Sequence, residues 1–151
     1  MPIARKAQTI DETEYLTTEL NSEIKHEYVN GYVYPMSGAS KNHRILSGNI
    51  FSLLHTYLKD KPCEPSWDAR VSIASNYFYP DVVVDCDDES PSDSLYAKNP
   101  KIIVEVLSRS TRHMDKGTKL LSYINIPSLE EYVLVEQEFA SIEALRRTDG
   151  W

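Results

Sequence analysis

The sequence has little cysteine and no long apolar run, and both absences narrow the class of protein. No stretch of the 151 residues approaches the roughly 20 apolar residues of a membrane-spanning helix, so no membrane association is expected. The segment Met1 to Lys6 lacks the apolar core of a signal peptide, which favours a cytoplasmic protein. Cys63 and Cys86 form no CxxC cluster, and in a cytoplasmic chain we expect them to be free thiols.

Positive charge and the common nucleotide and hydrolase motifs are also scarce. The net charge of −7 argues against a protein that coats nucleic acid through bulk electrostatics, although it does not exclude a nuclease. There is no GxSxG motif of a serine hydrolase and no phosphate-binding P-loop. An acidic run is interpreted as a solvated loop rather than a cation site: Asp85, Asp87, Asp88, Glu89 and Asp93. The length fits a single domain over residues 1–151.

Helix and strand patterns alternate along the chain. A capping box at residues 9–12 predicts a helix to about residue 20, and Asn30-Gly31 predicts a hairpin between residues 24–29 and 32–36. A second helix is predicted from apolar residues at helical spacing, namely Leu46, Ile50, Leu53, Leu54, Tyr57 and Leu58. Strands follow at residues 69–73, 77–85 and 101–107, then a helix at 112–125 and strands at 131–136 and 140–146. The order predicts an α/β (α+β) fold, a mixed sheet flanked by helices.

Glu105 is an acidic residue in the middle of an aliphatic strand, Ile102 to Leu107. An ionised carboxylate in such surroundings needs a metal, another cation or hydrogen bonds. Asp81 occupies a similar position in the run at residues 77–85. Because side chains alternate along a strand, Asp81 and Glu105 could converge on one divalent ion if the two strands are neighbours. Downstream, Lys119 lies four residues after Asp115 on the predicted helix and could act on a phosphate or on the attacking water.

In this order the residues resemble the Uma-type restriction-endonuclease family of the PD-(D/E)XK nuclease superfamily. The resemblance rests on Pro80-Asp81, Glu105 in a Val-Glu-Val-Leu-Ser strand, Ser110-Thr111, Asp115, Lys119 and Tyr123. It extends to the segments at residues 26–31, 38–40 with His43, and 131–135, and so covers nearly the whole chain. It implies a restriction-endonuclease-like core, DNA as substrate and Mg²⁺ or Mn²⁺ as cofactor. Family chains usually continue further, which predicts that a C-terminal segment is missing here.

The resemblance also implies a site. Asp81 and Glu105 would be catalytic metal ligands, with Glu27 as an additional ligand. The superfamily's usual lysine position is Leu107 here, and Lys119 is the natural replacement. His43 and Arg112 are candidate substrate-binding residues, and Asp115 and Ser108 are candidates for support of the site. A homodimer would be a natural way to cut both DNA strands.

Each of these residues has a structural alternative. Asp81 could accept a hydrogen bond from a neighbouring amide, Glu105 could pair with a buried Arg or Lys, and Lys119 could pair only with Asp115. The remaining alternatives are a cross-strand charge for Glu27, a surface or capping residue for His43, a helix cap for Ser108 and a solvated helix face for Arg112.

The sequence is therefore consistent with two functions. The first is a metal-dependent endonuclease that hydrolyses DNA phosphodiester bonds. The alternative is a catalytically inactive nuclease fold that serves as a binding or regulatory module, which the acidic balance and Leu107 at the usual lysine position favour.

Overall fold

The computed structural model describes residues 8–86 and 89–151. The segment Met1 to Lys6, and Asp87 and Asp88 of the predicted acidic loop, lie outside the described residues. In chain order the elements are α1 (Glu12–Glu19), β1 (His26–Val29), β2 (Tyr32–Pro35), α2 (Lys41–Leu58), β3 (Glu64–Ser66), β4 (Val71–Ile73), β5 (Asn76–Phe78), β6 (Val82–Asp85), β7 (Pro100–Val106), α3 (Arg112–Lys116), α4 (Thr118–Tyr123), β8 (Glu131–Val135) and β9 (Ile142–Arg146), followed by a short 3₁₀ turn at Arg147–Asp149.

The larger sheet is mixed and has the strand order β3-β6-β7-β8-β9. Its one parallel pair is β7 with β8, and the other neighbours are antiparallel. Parallel strands need a crossover, and α3 and α4 provide it. This is the predicted mixed sheet with flanking helices.

Helices lie on both faces of this sheet. Val82, Val104 and Val106 face α2 and pack against its apolar residues Leu46, Ile50, Phe51 and Leu54. Ile103 and Leu107, which alternate with them along β7, point to the opposite face, where Tyr123 of α4 joins the main core. Glu105 shares the alternation of Ile103 and Leu107 and is therefore directed toward α4.

A second, antiparallel sheet has the order β2-β1-β5-β4. Its first hairpin confirms the Asn30-Gly31 prediction, because both turn residues have positive φ, +51° and +87°. A side chain at position 31 would also lie close to Thr9, so both the positive φ and the limited space favour glycine here. The preceding helix begins at Glu12, and its cap is Asp11, which accepts from the Glu14 amide, rather than the predicted Thr9.

The predicted strand at residues 77–85 is wrong as a single element. It divides into β5, which belongs to the smaller sheet, and β6, which belongs to the larger one. Pro80 lies at the division, and because it has no amide hydrogen it cannot continue a strand ladder. Asp81 thus sits just before β6, where the two sheets meet.

The predicted helix at residues 112–125 is also divided, at Gly117. The backbone there leaves the helical region, with φ −113° and ψ −97°. The two short helices that result bring Asp115 and Lys119 into the core. On α2, the apolar residues at helical spacing do not all pack against the sheet, because Leu53 and Tyr57 are 72% and 70% exposed.

The free-thiol prediction is wrong, since Cys63 and Cys86 form a disulfide. The pairing of β3 with β6 explains why: Glu64 is opposite Asp85, so the next residues outward, Cys63 and Cys86, face each other. The two cysteines are 23 residues apart in sequence, so no local sequence pattern indicates that they are in contact. Among the helices that the structure describes, none is long and apolar enough to cross a membrane.

Candidate active site

Two neighbouring strands hold the central acidic pair. Val82 of β6 is opposite Val104 of β7, so Asp81, one residue before, lies beside Glu105, one residue after. Val83 and Ile103, which alternate with these carboxylates in the same sense, both belong to the main core cluster. The two acidic side chains are therefore placed on the same face of the sheet, as the alternation predicted.

Lys119 of α4 reaches this face and lies among three carboxylates. Its Nζ is 3.2 Å from Glu105 Oε2, 3.3 Å from Glu27 Oε1 and 3.3 Å from Asp115 Oδ1. All four side chains are largely buried, and Glu105 and Lys119 are 3% and 4% exposed as residues. We call Glu27, Asp81, Glu105, Asp115 and Lys119 the acidic cluster.

Asp81 is held by two partners at the margin of the cluster. Its Oδ2 accepts a 2.7 Å hydrogen bond from the Val106 amide and lies 3.2 Å from His43 Nε2. Hydrogen bonding to the Asp81 carboxylate raises the pKa of His43, although burial acts in the opposite direction. His43 therefore adds positive charge beside Asp81 more readily than an ordinary histidine.

Glu27 and Tyr123 complete the contacts of Lys119 and Glu105. Glu27 Oε2 accepts a 2.8 Å hydrogen bond from the Tyr79 amide, so both Glu27 oxygens are engaged. The Tyr123 hydroxyl donates to Glu105 Oε1 at 3.4 Å. The smaller sheet, through Glu27, and the crossover helix, through Tyr123, thus both contribute to the environment of Glu105.

The cluster contains more negative charge than its single ammonium can neutralise. Burial raises the pKa of Glu105 well above its ordinary value, and the carboxylates of Asp81, Asp115 and Glu27 raise it further against the opposing effect of Lys119. Burial also raises the pKa of Asp115 and of Glu27.

Lys119 itself remains charged. Burial lowers the pKa of its ammonium, but Glu105, Glu27 and Asp115 outweigh that effect and hold the pKa above its ordinary value. The arrangement is therefore one protonated lysine among carboxylates that repel one another.

The other candidates lie in different places. Asp115 is in the cluster, near Lys119 and the Thr111 hydroxyl, but neither of its oxygens has a hydrogen bond of normal geometry among the described residues. Ser108 accepts from the Thr111 amide at 3.2 Å and its hydroxyl lies 2.8 Å from Thr111 Oγ1, as expected of a residue at a helix start. Arg112 does not join the cluster, because its guanidinium binds both oxygens of Glu136.

The tyrosines around the cluster were not singled out as site residues in the sequence. Tyr123 contacts Glu105, and the Tyr132 hydroxyl donates to the Asp115 carbonyl at 2.8 Å. The rings of Tyr123 and Tyr132 pack edge to face at 5.1 Å. A signal was present for Tyr123, which follows Lys119 by four residues and so shares its helix face. Tyr132 lies on another element, and no local pattern indicates its contact.

The oxygen donors of the cluster suit a hard divalent cation. Asp81 and Glu105 offer carboxylate oxygens on neighbouring strands, and Asp115 has buried oxygens that lack normal hydrogen bonds. Within residues 8–86 and 89–151, no three His, Cys, Asp or Glu side chains converge as a ready metal-binding group. Mg²⁺ commonly uses only one or two protein carboxylates together with waters and substrate phosphate, so the two strand carboxylates fit its chemistry.

Comparison with known proteins places this chain in a family. The family model described as "Uma2: Putative restriction endonuclease" matches residues 12–151. Two uncharacterized proteins of Synechocystis are each 36% identical to the chain, one over 139 residues and the other over 142. The first alignment covers 90% of this chain and 73% of the relative, and the second covers 91% and 80%.

A crystal structure shares the fold. It is described as that of "a putative nuclease belonging to DUF820" from Anabaena variabilis, with a TM-score of 0.72, 14% sequence identity, and coverage of 91% of this chain and 84% of that one. The likeness extends to the mixed sheet and its flanking helices and confirms the predicted nuclease-like fold class. Since the family model covers nearly all of the sequence, the chain belongs to the Uma2 restriction-endonuclease family.

Proposed function

We propose that the chain is a nuclease that uses Mg²⁺ or Mn²⁺ to hydrolyse DNA phosphodiester bonds. The observation that carries the proposal is the placement of Glu105: a buried carboxylate beside Asp81 on the next strand and 3.2 Å from a buried lysine. Family membership supports the same reaction class.

The charge balance of the acidic cluster supports a cation as its ligand. Four carboxylates share one ammonium and one neighbouring imidazole. Burial first, and repulsion from the neighbouring carboxylates second, raise the pKa of Glu105, of Glu27 and of Asp115. A divalent cation near Asp81 and Glu105 would relieve this repulsion, because attraction between opposite charges is strong at a site removed from water.

The chain's own residues have separable roles in this proposal. Asp81 and Glu105 would hold the ion, which supplies Lewis-acid stabilisation of phosphate and lowers the pKa of the attacking water. Lys119 is held in its charged form, so it stabilises negative charge on the phosphate rather than removing a proton. Glu27 and Asp115 keep the ammonium of Lys119 in position.

A cleavage assay tests the proposal. Purified protein is incubated with supercoiled, linear and single-stranded DNA in Mg²⁺, in Mn²⁺ and in excess chelator. We expect cleavage that needs the divalent ion and is lost in Asp81→Asn. Asp85→Asn is the matched control, because Asp85 lies at the far end of the same strand and contacts the Asn99 amide instead of the cluster. Failure to cut any DNA form, or equal cutting by Asp81→Asn, would overturn the proposal.

One observation favours a second candidate, a non-catalytic module with a nuclease fold. Lys119 is engaged by three carboxylates at once, as in a structural ion-pair network. Calorimetric titration with Mn²⁺ separates the two functions. Binding that disappears in Asp81→Asn supports the nuclease, and no binding by the wild type supports the module.

A further inference from the structure

A cleft of about 590 Å³ opens beside Asp81, on the side away from Lys119's crossover helix. Its lining includes Arg44, Gly48 and Phe51 of α2, together with Trp67 and Tyr79. Its volume is in the range of small-molecule and nucleotide sites. Asp81 and His43 line the same cleft, so it is continuous with the proposed catalytic centre.

The outer part of the cleft is aromatic. Trp67 is 61% exposed, yet its ring is held edge to face against Phe51, with centroids 4.7 Å apart and planes at 89°. Phe51 in turn stacks on His55, one turn further along α2. An exposed tryptophan that is fixed on one side leaves surface for a flat ring to stack against.

Basic side chains form part of the cleft lining, where Arg44 and His43 lie near the carboxylates of Asp68 and Asp81. The first turns of α2 carry Lys41, His43 and Arg44, and the first turn of that helix holds no acidic residue. Asp68, at the rim, is neutralised by Lys25 at 2.7 Å. On a molecule with net charge −7, Arg44 and His43 give this cleft basic groups that suit an anion such as phosphate.

Two further details fit a planar polar ligand. The Ser47 hydroxyl is buried and has no hydrogen-bond partner among the described residues, and Ser47 is part of the cleft wall. Gly48, beside it, has open space where a side chain would project. The wall therefore contains one buried hydroxyl without a partner among the described residues, and it has open space at Gly48.

From these features we propose that the cleft binds an unpaired nucleobase adjacent to the phosphate that is cut. The substrate is then single-stranded or locally unpaired nucleic acid, because a base stacked within a duplex presents only its edges and cannot offer its face to Trp67. The inference rests on the proposed nuclease function and adds the substrate class to it. The polar lining of Arg44, His43 and Asp81 distinguishes this occupant from an apolar peptide or lipid.

Tryptophan fluorescence tests base stacking directly. The chain has two tryptophans, Trp67 and Trp151, and Trp151 lies elsewhere, against Arg147. In a Trp151→Phe background, Trp67 is the single emitting tryptophan. Titration in excess chelator then measures binding without cleavage, with a single-stranded DNA oligonucleotide, the corresponding duplex, and an abasic oligonucleotide of the same length as probes.

We expect saturable quenching of Trp67 by the single strand and weaker binding of the duplex. The abasic strand keeps the phosphates but lacks the bases, so it should not quench. In a binding assay read from a label on the DNA, Trp67→Ala should weaken single-strand binding by about 5-fold to 150-fold, the range that stacking on one aromatic side chain supplies. Tyr57→Ala is the control, because Tyr57 is a similarly exposed aromatic residue of α2 outside the cleft.

The outcomes also separate this inference from the proposed function. If the single strand quenches Trp67 but the protein never cleaves DNA, base binding in the cleft is supported and the proposed nuclease activity is refuted. Base binding in the cleft is refuted, even if the protein cleaves DNA, by any one of three results. These are equal quenching by the abasic strand, preferential binding of duplex, and unchanged affinity in Trp67→Ala.

Discussion

Lys119 is surrounded by more negative charge than its ammonium can neutralise, and this imbalance is the main physical feature of the site. Its Nζ lies 3.2 to 3.3 Å from three carboxylates, and Asp81 adds a fourth nearby charge. Buried ion pairs of this kind contribute little net stability, since removing charges from water costs free energy. Their persistence in a core otherwise built of aliphatic and aromatic side chains points to a chemical role.

Removing the ammonium should expose that cost. Lys119→Met leaves Glu27, Glu105 and Asp115 buried without a cation, and we expect the free energy of unfolding to fall by about 3–5 kcal/mol. Urea denaturation followed by circular dichroism measures the change. Lys116→Met, at an exposed position of the neighbouring helix, should alter stability by no more than about 0.5 kcal/mol. Equal effects of the two substitutions would show that the cluster does not depend on Lys119.

Neutralising Glu105 should instead have an effect that depends on pH. The pKa of Glu105 is higher in the folded protein than in the unfolded chain, so ionising Glu105 favours unfolding. Below the unfolded-state pKa the wild type has no such loss of stability, and the loss grows as pH rises toward the folded-state pKa. Glu105→Gln removes this loss. The stability of the variant relative to wild type should therefore improve as pH rises above the ordinary pKa of a glutamate, as measured by urea denaturation at each pH. A difference that stays constant with pH would contradict the raised pKa.

Among the elements, the break at Gly117 positions the lysine. A Cβ at this residue would lie 2.9 Å from the His113 carbonyl oxygen, a backbone atom that cannot move freely. We expect Gly117→Ala to destabilise the fold by about 1 kcal/mol or more. Gly48→Ala is the matched opposite case, because it lies inside α2 with open space around it, and it should stabilise by about 0.5–1 kcal/mol. Thermal unfolding of both variants decides, and a stabilised Gly117→Ala would refute this explanation of the break.

The disulfide fastens the edge of the larger sheet. It joins the residues flanking the β3 and β6 pair across a separation of 23 residues. Loss of such a crosslink should reduce the free energy of unfolding by about 2–4 kcal/mol in the Cys63→Ser, Cys86→Ser variant. Denaturation of the oxidised wild type and of the variant provides the comparison. Two titratable thiols in protein kept under oxidising conditions would contradict the bridge.

Sequence reasoning succeeded where the signal was local. Asn30-Gly31 specifies its own turn geometry, and the aliphatic run around Glu105 specifies a buried strand. It failed where partners are distant in sequence. Pro80 stands between strands of two different sheets, and Cys63 meets Cys86 only because β3 pairs with β6.

In the candidate site, too, contacts with a local sequence signal were predicted and contacts between distant segments were not. The proximity of Lys119 to Glu105 was predicted, since a helix that follows a strand and crosses over packs back on that strand. The shared contact of Glu27 with Lys119 depends on how the smaller sheet packs on the larger one. No pattern within either segment contains that information.

At the scale of the whole molecule, charge is distributed unevenly. The chain has net charge −7, its acidic cluster is buried at the junction of the two sheets, and its basic groups beside Asp81 lie on the first turns of α2. Such a molecule would bind nucleic acid through one local site rather than through a broad basic surface. The buried cluster would then act on the phosphate that this local site brings to it.

Whether Glu105 belongs to a metal-dependent hydrolytic centre, as proposed, is tested most directly by a single-turnover cleavage rate. Wild type and Glu105→Gln are compared on one labelled DNA in Mg²⁺, after circular dichroism has shown that both are folded. We expect the variant to lose at least about a hundredfold in rate, because an amide cannot replace the charge of the carboxylate. A folded Glu105→Gln variant that cleaves within about threefold of the wild-type rate would contradict the proposal.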